Sequence, residues 1–148
     1  PRQRQRGFRQ AMADSGLPVP IEYDVDGEYT VRGGSSAMAE LLSLPTPPTA
    51  VFAQSDEMAA GAMQTMRRMG VRVPDDISIV GFDDHELAEV LDLTTMAQPV
   101  AQRGEIAVRA VLQALADGRS QTAPGRELVH TRLVVRSSTA FETAREKR

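Results

Sequence analysis

The residues with the most chemical reach in this 148-residue chain stand directly behind apolar runs or near the start of a helical stretch. Asp83 and Asp84 follow the run Ile77-Ser-Ile-Val-Gly-Phe, and Ser55 and Asp56 follow Thr49-Ala-Val-Phe-Ala-Gln. A carboxylate at the end of a buried strand can accept two hydrogen bonds from neighbouring hydroxyls, which makes Asp83 the leading candidate for ligand contact. The alternative is a solvated turn aspartate. Asp84 is expected to cap the next helix. Ser55 offers a hydroxyl, although capping a helix explains Ser55 and Asp56 equally well. Arg4, with Arg2, Arg6 and Arg9 around it, carries forked donors that suit hydroxyl pairs or a carboxylate; a generic basic helix face is the other reading. Tyr29 is one of six aromatic residues. It would stack on an apolar face and offer its phenolic hydroxyl, or it simply packs.

This set does not assemble into catalysis. No cysteine is present, which removes thiolate nucleophiles, disulfides and Cys-based zinc sites together. There is no Gly-x-Ser-x-Gly elbow, no His-Glu-x-x-His and no carboxylate pair at a defined separation. His85 and His130 have no second histidine or carboxylate at metal spacing, and ordinary surface or loop roles are expected for both. Gly33-Gly-Ser-Ser lacks the spacing of a phosphate cradle and reads as a helix start. Neither a metal nor a cofactor is expected, and the chain is not read as an enzyme. A net charge of −3 argues against direct DNA contact by this piece, since phosphate binding needs clustered positive charge. The sixteen arginines and single Lys147 reflect codon usage more than function.

Short β-type runs alternate with helical stretches. Arg2–Ser15 carries Phe8, Ala11 and Met12 at helical spacing and stops at Gly16. Leu17-Pro-Val-Pro turns into a short strand, Ile21-Glu-Tyr. After Gly33-Gly-Ser-Ser, Ala37, Met38, Leu41 and Leu42 mark one helix face, broken by Pro45-Thr-Pro-Pro. Thr49–Ala53 reads as a fully buried parallel strand. Next comes a helix with Met58, Ala62, Met66 and Met69 on one face, closing at Gly70. The methionine stripe, which includes Met63, is core or a subunit face. Val73-Pro-Asp-Asp leads into the strand Ile77–Phe82. A short helix near Leu87–Leu91 precedes Leu93-Thr-Thr-Met. Pro99 opens the longest amphipathic helix, with Ala107, Val108, Val111, Leu112 and Leu115 facing inward and Gly118 as its stop. A polar loop, Arg119–Gly125, precedes a last strand, Leu128–Arg136, and the charged end Glu142–Arg148 is expected to fray.

Strands separated by helical stretches of this length imply right-handed crossovers and a parallel sheet, so the predicted fold is a doubly wound α/β layer. Such sheets bind ligands beyond the carboxyl ends of their strands, which singles out Ser55-Asp56 and Asp83-Asp84. No apolar run reaches the roughly 18 residues that a membrane span needs.

The run Pro48-Thr-Ala-Val-Phe-Ala-Gln-Ser-Asp-Glu-Met-Ala-Ala-Gly-Ala-Met resembles the strand, Asn/Ser-Asp step and helix of lactose-repressor-family transcription regulators. Gly70-Val-Arg-Val-Pro-Asp-Asp-Ile-Ser-Ile-Val-Gly-Phe-Asp-Asp resembles that family's most specific stretch. Leu93-Thr-Thr-Met-Ala-Gln-Pro is similar to its second interdomain crossover, and Arg4-Gln-Arg-Gly-Phe to its Arg-x-x-Gly-Phe helix start. The four stretches come in family order and spacing and cover nearly the whole chain.

The resemblance implies a two-lobed, periplasmic-binding-protein-like (type I) receptor domain with its effector in the interlobe cleft. Residues 1–97 would belong to the C-terminal lobe, 98–127 to the N-terminal lobe and 128–140 to the C-terminal lobe again, with 141–148 a tail. The helix-turn-helix and most of the first lobe would lie outside this chain, which reads as a fragment because it opens at Pro1. By the same resemblance, Asp83 matches an effector ligand, Arg4 an arginine that reaches into the cleft, and Tyr29 an aromatic ring that covers the ligand; Ser55 completes the candidate set. The implied partners are a sugar or sugar derivative, operator DNA through the absent domain, and a second copy of the protein. Met58–Met69 and His85–Leu91 form the candidate dimer face, and the cytoplasm is the implied location. A solute-binding protein of a sugar transport system shares the fold and is the alternative.

Overall fold

The apolar runs that end before Ser55 and at Asp83 lie side by side as parallel strands, which sets the geometry of everything around them. The computed structural model describes residues 2–116 and 128–140. The elements run α1 (Arg2–Asp14), a 3-10 turn (Ile21–Tyr23), α2 (Val31–Ser43), β1 (Ala50–Phe52), α3 (Asp56–Arg68), β2 (Ser78–Asp83), α4 (Glu86–Val90), β3 (Thr94–Ala97), α5 (Val100–Ala116) and β4 (Arg132–Val134). The sheet order is β1-β2-β3-β4. In the first pair Phe52 sits beside Val80, and Val51 beside Ile79, so alternate residues share a face. Phe52, Val80 and Phe82 face α1, where Phe8 stacks on Phe52 with centroids 5.3 Å apart. Val51, Ile79 and Gly81 face α3. The sheet is therefore covered from both sides, as the predicted α/β layer requires.

Two strand expectations need correction. β1 is only half-buried, with Ala50 exposed, because it is an edge strand of this sheet rather than a central one. β4 is shorter than Leu128–Arg136 and runs antiparallel to β3, with Ala97 beside Arg132 and Thr95 beside Val134. The cause is connectivity: the chain leaves the sheet at Gln98 and returns at the same edge, so the returning strand must run backwards. Hydroxyls stitch that return in place. Ser138 Oγ donates to the Ile79 carbonyl at 2.7 Å and accepts the Thr94 N–H at 2.8 Å.

On the α3 side the core is Met38, Leu41, Ala59, Ala62, Met66, Ile77, Ile79 and Leu93. Burying the larger of these, Met38, Leu41, Met66, Ile77, Ile79 and Leu93, stabilises the fold by about 1.5–3 kcal/mol each. α2 begins earlier than the sequence suggests. Thr30 caps it by accepting the Gly33 N–H at 2.9 Å, so Gly33-Gly34 lie inside the first turn rather than before it. Their role is proximity: a Cβ on Gly34 would run into the Met58 backbone, and one on Gly61 into the Val31 carbonyl. Small residues let α2 and α3 approach closely, and Ser35 and Thr65 share a 2.6 Å hydrogen bond between them.

Ile21-Glu-Tyr is a 3-10 turn, not a strand. Pro18 and Pro20 supply no N–H, and the Tyr23 and Asp24 amides bond back to Pro20 and Ile21 instead of across a sheet. In α3, Met66 is fully buried and Met58 and Met63 pack against the core, but Met69 is the exposed helix cap, so it leaves the predicted face. The largest departure is α5. Its amphipathic stripe forms as a helix after Pro99, yet it has no buried residue, and Val108, Val111, Leu112 and Leu115 are 59–73% exposed. The described residues place nothing over that face. Gly118, the Arg119–Gly125 loop and the Glu142–Arg148 end lie outside the described residues.

Candidate functional site

The carboxyl ends of β1, β2 and β3 deliver Gln54, Asp83 and Gln98 to one edge of the sheet, and α1 delivers Arg4 to the same place. Arg4 Nη2 donates to Asp83 Oδ1 at 3.0 Å, and Nη1 donates to the Gln54 carbonyl at 2.5 Å. Its guanidinium lies 3.9 Å from the centre of the Phe82 ring, a cation–π contact that adds about 0.5–2 kcal/mol and fixes the plane of the fork. Gln98 Nε2 donates to the same Asp83 oxygen, and Arg103, in the first turn of α5, donates to Gln98 Oε1. Tyr29 closes the other side, its hydroxyl donating to Gln54 Oε1 at 2.7 Å. The Arg4 and Asp83 side chains are 24% and 31% exposed, so the pair is anchored on one side and open to solvent on the other.

This arrangement presents a carboxylate acceptor, guanidinium donors, two carboxamides, a phenol and an aromatic face within one cluster of zero net charge before Arg103 is counted. It suits a neutral molecule with several hydroxyls. A groove of about 610 Å³ lies nearby, between α1, Leu17–Pro20, α2 and the open edge of β1. Gln54 lines it but Arg4, Tyr29 and Asp83 do not, and its walls are mainly apolar. The polar cluster is thus the better seat for a hydroxylated ligand. Among the described residues no three His, Cys, Asp or Glu side chains gather to hold a metal ion.

The sequence profile of the periplasmic binding protein-like domain matches residues 1–139. The chain belongs to that family. It is 43% identical over 139 residues to the HTH-type transcriptional repressor CytR of Escherichia coli (strain K12), covering 92% of this chain and 40% of the repressor. It also superimposes on the putative transcriptional regulator LacI from Bacillus cereus subsp. cytotoxis NVH 391-98, with a TM-score of 0.87 and 27% identity over 94% of this chain and 49% of that one. A LacI family regulator from Enterococcus faecium, solved with bound ribose, matches with a TM-score of 0.78 and 29% identity over 93% of this chain and 50% of its own. The chain spans about 40% of the length of the CytR repressor it matches. Its relatives include a transcriptional repressor and regulators of the LacI (lactose-repressor) family, the family that the four sequence stretches resemble.

Within this periplasmic binding protein-like domain the remaining candidates divide cleanly. Ser55 is 3% exposed and caps α3, its Oγ accepting the Met58 N–H at 3.2 Å; of its two readings the structure supplies the cap and keeps it out of the Arg4–Asp83 cluster. Asp84 does not cap α4. His85 does, through Nδ1 and the Leu87 N–H at 3.4 Å, while Asp84 pairs with Arg136 at 2.9 Å. The reason is backbone direction: Asp83 has φ 119° and Asp84 φ 56°, and this double left-handed bend turns Asp84 toward Arg136. Two such non-glycine residues cost about 1–3 kcal/mol each, so the bend needs external support.

Asp56, the first residue of α3, lies directly behind the bend. It is fully buried and accepts the Thr95 hydroxyl at 2.6 Å and the His85 N–H at 2.7 Å. Burial raises its carboxyl above the usual value of 3.8. The Thr95 and His85 hydrogen bonds oppose that shift, and the nearby Asp83 and Asp84 charges add to it.

Sequence reasoning missed Gln54, Gln98, Arg103 and the contacts of Asp56 with Thr95 and His85. The first two carried a usable signal, since each directly follows the apolar run of its strand, as Asp83 does. A neutral carboxamide stands out less in a sequence than a charge does, although it both donates to and accepts from hydroxyls.

Proposed function

We propose that this chain is the effector-sensing part of a DNA-binding transcription regulator, and that a sugar or sugar derivative binds at the Arg4–Asp83 edge. The observation that carries the reading is the convergence of Arg4, Asp83, Tyr29, Gln54 and Gln98 from five places in the sequence onto one sheet edge. Arg4 and Asp83 together match a pair of adjacent hydroxyls, donating to one and accepting from the other, and Tyr29 supplies a ring against a sugar face. Ser55, buried as a cap, is left out of this contact set.

The binding cleft lies between two lobes. Residues up to 97 form one lobe with 128–140, and the segment between them, 98–127, of which 98–116 are described, is assigned to the other. Two features support this: the exit and return of the chain at one sheet edge, and the uncovered apolar face of α5. Effector binding prefers one lobe arrangement and thereby shifts DNA affinity, with operator contacts made outside this chain. The regulator acts in the cytoplasm as a homodimer through the end of α3 and α4, where Met69 and Val90 stand exposed. The reading needs no turnover. The repressor name of the CytR relative and the ribose bound to the similar regulator favour it over a transport protein.

The test is DNA capture by the full-length protein from genomic fragments, repeated with D-ribose, D-glucose, cellobiose and sucrose, in wild-type and Asp83→Ala forms. One sugar is expected to change the amount captured, and the variant to capture DNA without responding. A response that survives in the variant, or capture indifferent to every sugar, contradicts the reading.

A further inference from the structure

Asp83 meets the candidate ligand site from a backbone conformation that an aspartate does not hold by itself. Its φ of 119° and the 56° of Asp84 are consecutive, and neither position is a glycine. The next amide, that of His85, is held by Asp56 Oδ2, and the other Asp56 oxygen takes the Thr95 hydroxyl, on the neighbouring strand. The Asp84 amide lies 3.4 Å from the same Thr95 oxygen. The space is closed from below as well: a Cβ on Gly81 would run into Asp56 Oδ1. A charged, fully buried group is an expensive way to start a helix, and Ser55 already caps α3. The cost is understandable if the carboxylate has a second task.

We infer that Asp56 is the positioning residue for effector recognition, clamping the Asp83–Asp84–His85 bend to β3 so that the Asp83 carboxylate is held against Arg4 at the cleft. It touches no ligand itself. The inference deepens the proposed function, and rests on it for the statement that Asp83 meets the effector. The clamp also has a directional consequence. Thr95 lies three residues before Gln98, which donates to Asp83 from the crossover into α5. Asp56 therefore ties the acidic bend to the strand that leads out of this lobe, and a shift in either is passed to the other.

The experiment uses the full-length protein with Asp56→Ala, Asp56→Asn, Thr95→Val and Asp83→Ala variants, alone and with Asp56→Ala combined with Asp83→Ala. Two quantities are read. The first is the pair of three-bond couplings HN–Hα and C′–Hα (from the preceding carbonyl) at residue 83, which together report the size and sign of its φ without any ligand. The second is calorimetric affinity for whichever of D-ribose, D-glucose, cellobiose and sucrose raises the melting temperature most.

Asp56→Ala is expected to move the pair of couplings to a combination that only a negative φ gives, and to weaken sugar binding at least tenfold. Asp56→Asn retains an oxygen for the His85 amide and should restore most of both. Thr95→Val, which removes one bond of the clamp, should fall between them. Against an Asp83→Ala background, Asp56→Ala should cost no further affinity, which a merely structural loss would not reproduce. Unchanged couplings in Asp56→Ala, or equal affinity losses with and without Asp83, overturn the inference. Asp83→Ala with undiminished affinity would instead sink the effector-site reading, while the couplings still decide whether Asp56 holds the bend.

Discussion

Helices α3 and α5 both carry apolar residues at three- and four-residue spacing, yet α3 buries Ala59, Ala62 and Met66 while α5 leaves Val108, Val111, Leu112 and Leu115 in solvent. The stripe is the same kind of signal in both. What differs is the partner. α3 has α2 against it, brought close by Gly34 and Gly61, and β2 beneath it. α5 leaves the sheet at Pro99 and does not fold back onto it. A hydrophobic stripe therefore states that a helix will bury one face, and it is silent about what covers that face. In this chain the buried stripe supports the site, and the bare one marks where the rest of the receptor is proposed to dock.

The comparison can be broken most sharply at Met66. Met66→Ala should cost about 2–5 kcal/mol in chemical denaturation, because the fully buried side chain leaves a cavity in the α2–α3 core. If it costs no more than an α5 substitution, the two helices do not differ as described. A loss of about 1 kcal/mol is expected from Thr30→Ala, which leaves the Gly33 amide at the start of α2 without its cap, and the same denaturation series checks it.

A pH effect sharpens the buried side. The Asp56 carboxyl is raised in the folded state, mainly by burial, so the fold binds its proton more tightly than the unfolded chain does. Its contribution to stability is complete below the unfolded value of 3.8 and is lost as pH rises through the raised value. Wild-type stability relative to Asp56→Asn should therefore decline across that window in denaturation midpoints taken at successive pH values. A difference that grows with pH has the wrong sign for this account. The smallest stability effect belongs to α5: Leu112→Glu should change unfolding free energy by less than about 0.5 kcal/mol in this chain while lowering its binding of a hydrophobic dye. A loss as large as that of Met66→Ala would mean that Leu112 is covered.

Much of this was readable in the residues, for reasons that differ by region. The runs Thr49–Ala53 and Ile77–Phe82 are too apolar and too short for anything but strands of a covered sheet. Gly16 and Gly70 stop their helices with positive φ, as their positions imply. The place of Asp83 at the sheet's carboxyl edge was legible because it directly follows the apolar run of β2, and such sheets gather their ligand groups there. The antiparallel return of β4 was not, since it depends on where α5 leads the chain rather than on any local pattern. Nor was the exchange of roles between Asp84 and His85, which follows from two left-handed backbone positions that no glycine announces. Ile21-Glu-Tyr misled because a β-branched and an aromatic residue favour a strand only where a sheet edge is available to pair with them.

Under the proposed function, a small hydroxylated effector is recognised at the sheet edge where Arg4 meets Asp83. Thermal denaturation of the full-length protein with sugars, sugar phosphates, polyols and purines, beside an Asp83→Ala variant, tests it most directly. A ligand present at about a hundred times its dissociation constant adds about 2.7 kcal/mol to the folded state, which is readily seen as a higher melting temperature. Such a rise is expected for a neutral polyhydroxylated compound, with its loss in the variant. A rise that persists undiminished in Asp83→Ala would place the effector elsewhere and contradict the account.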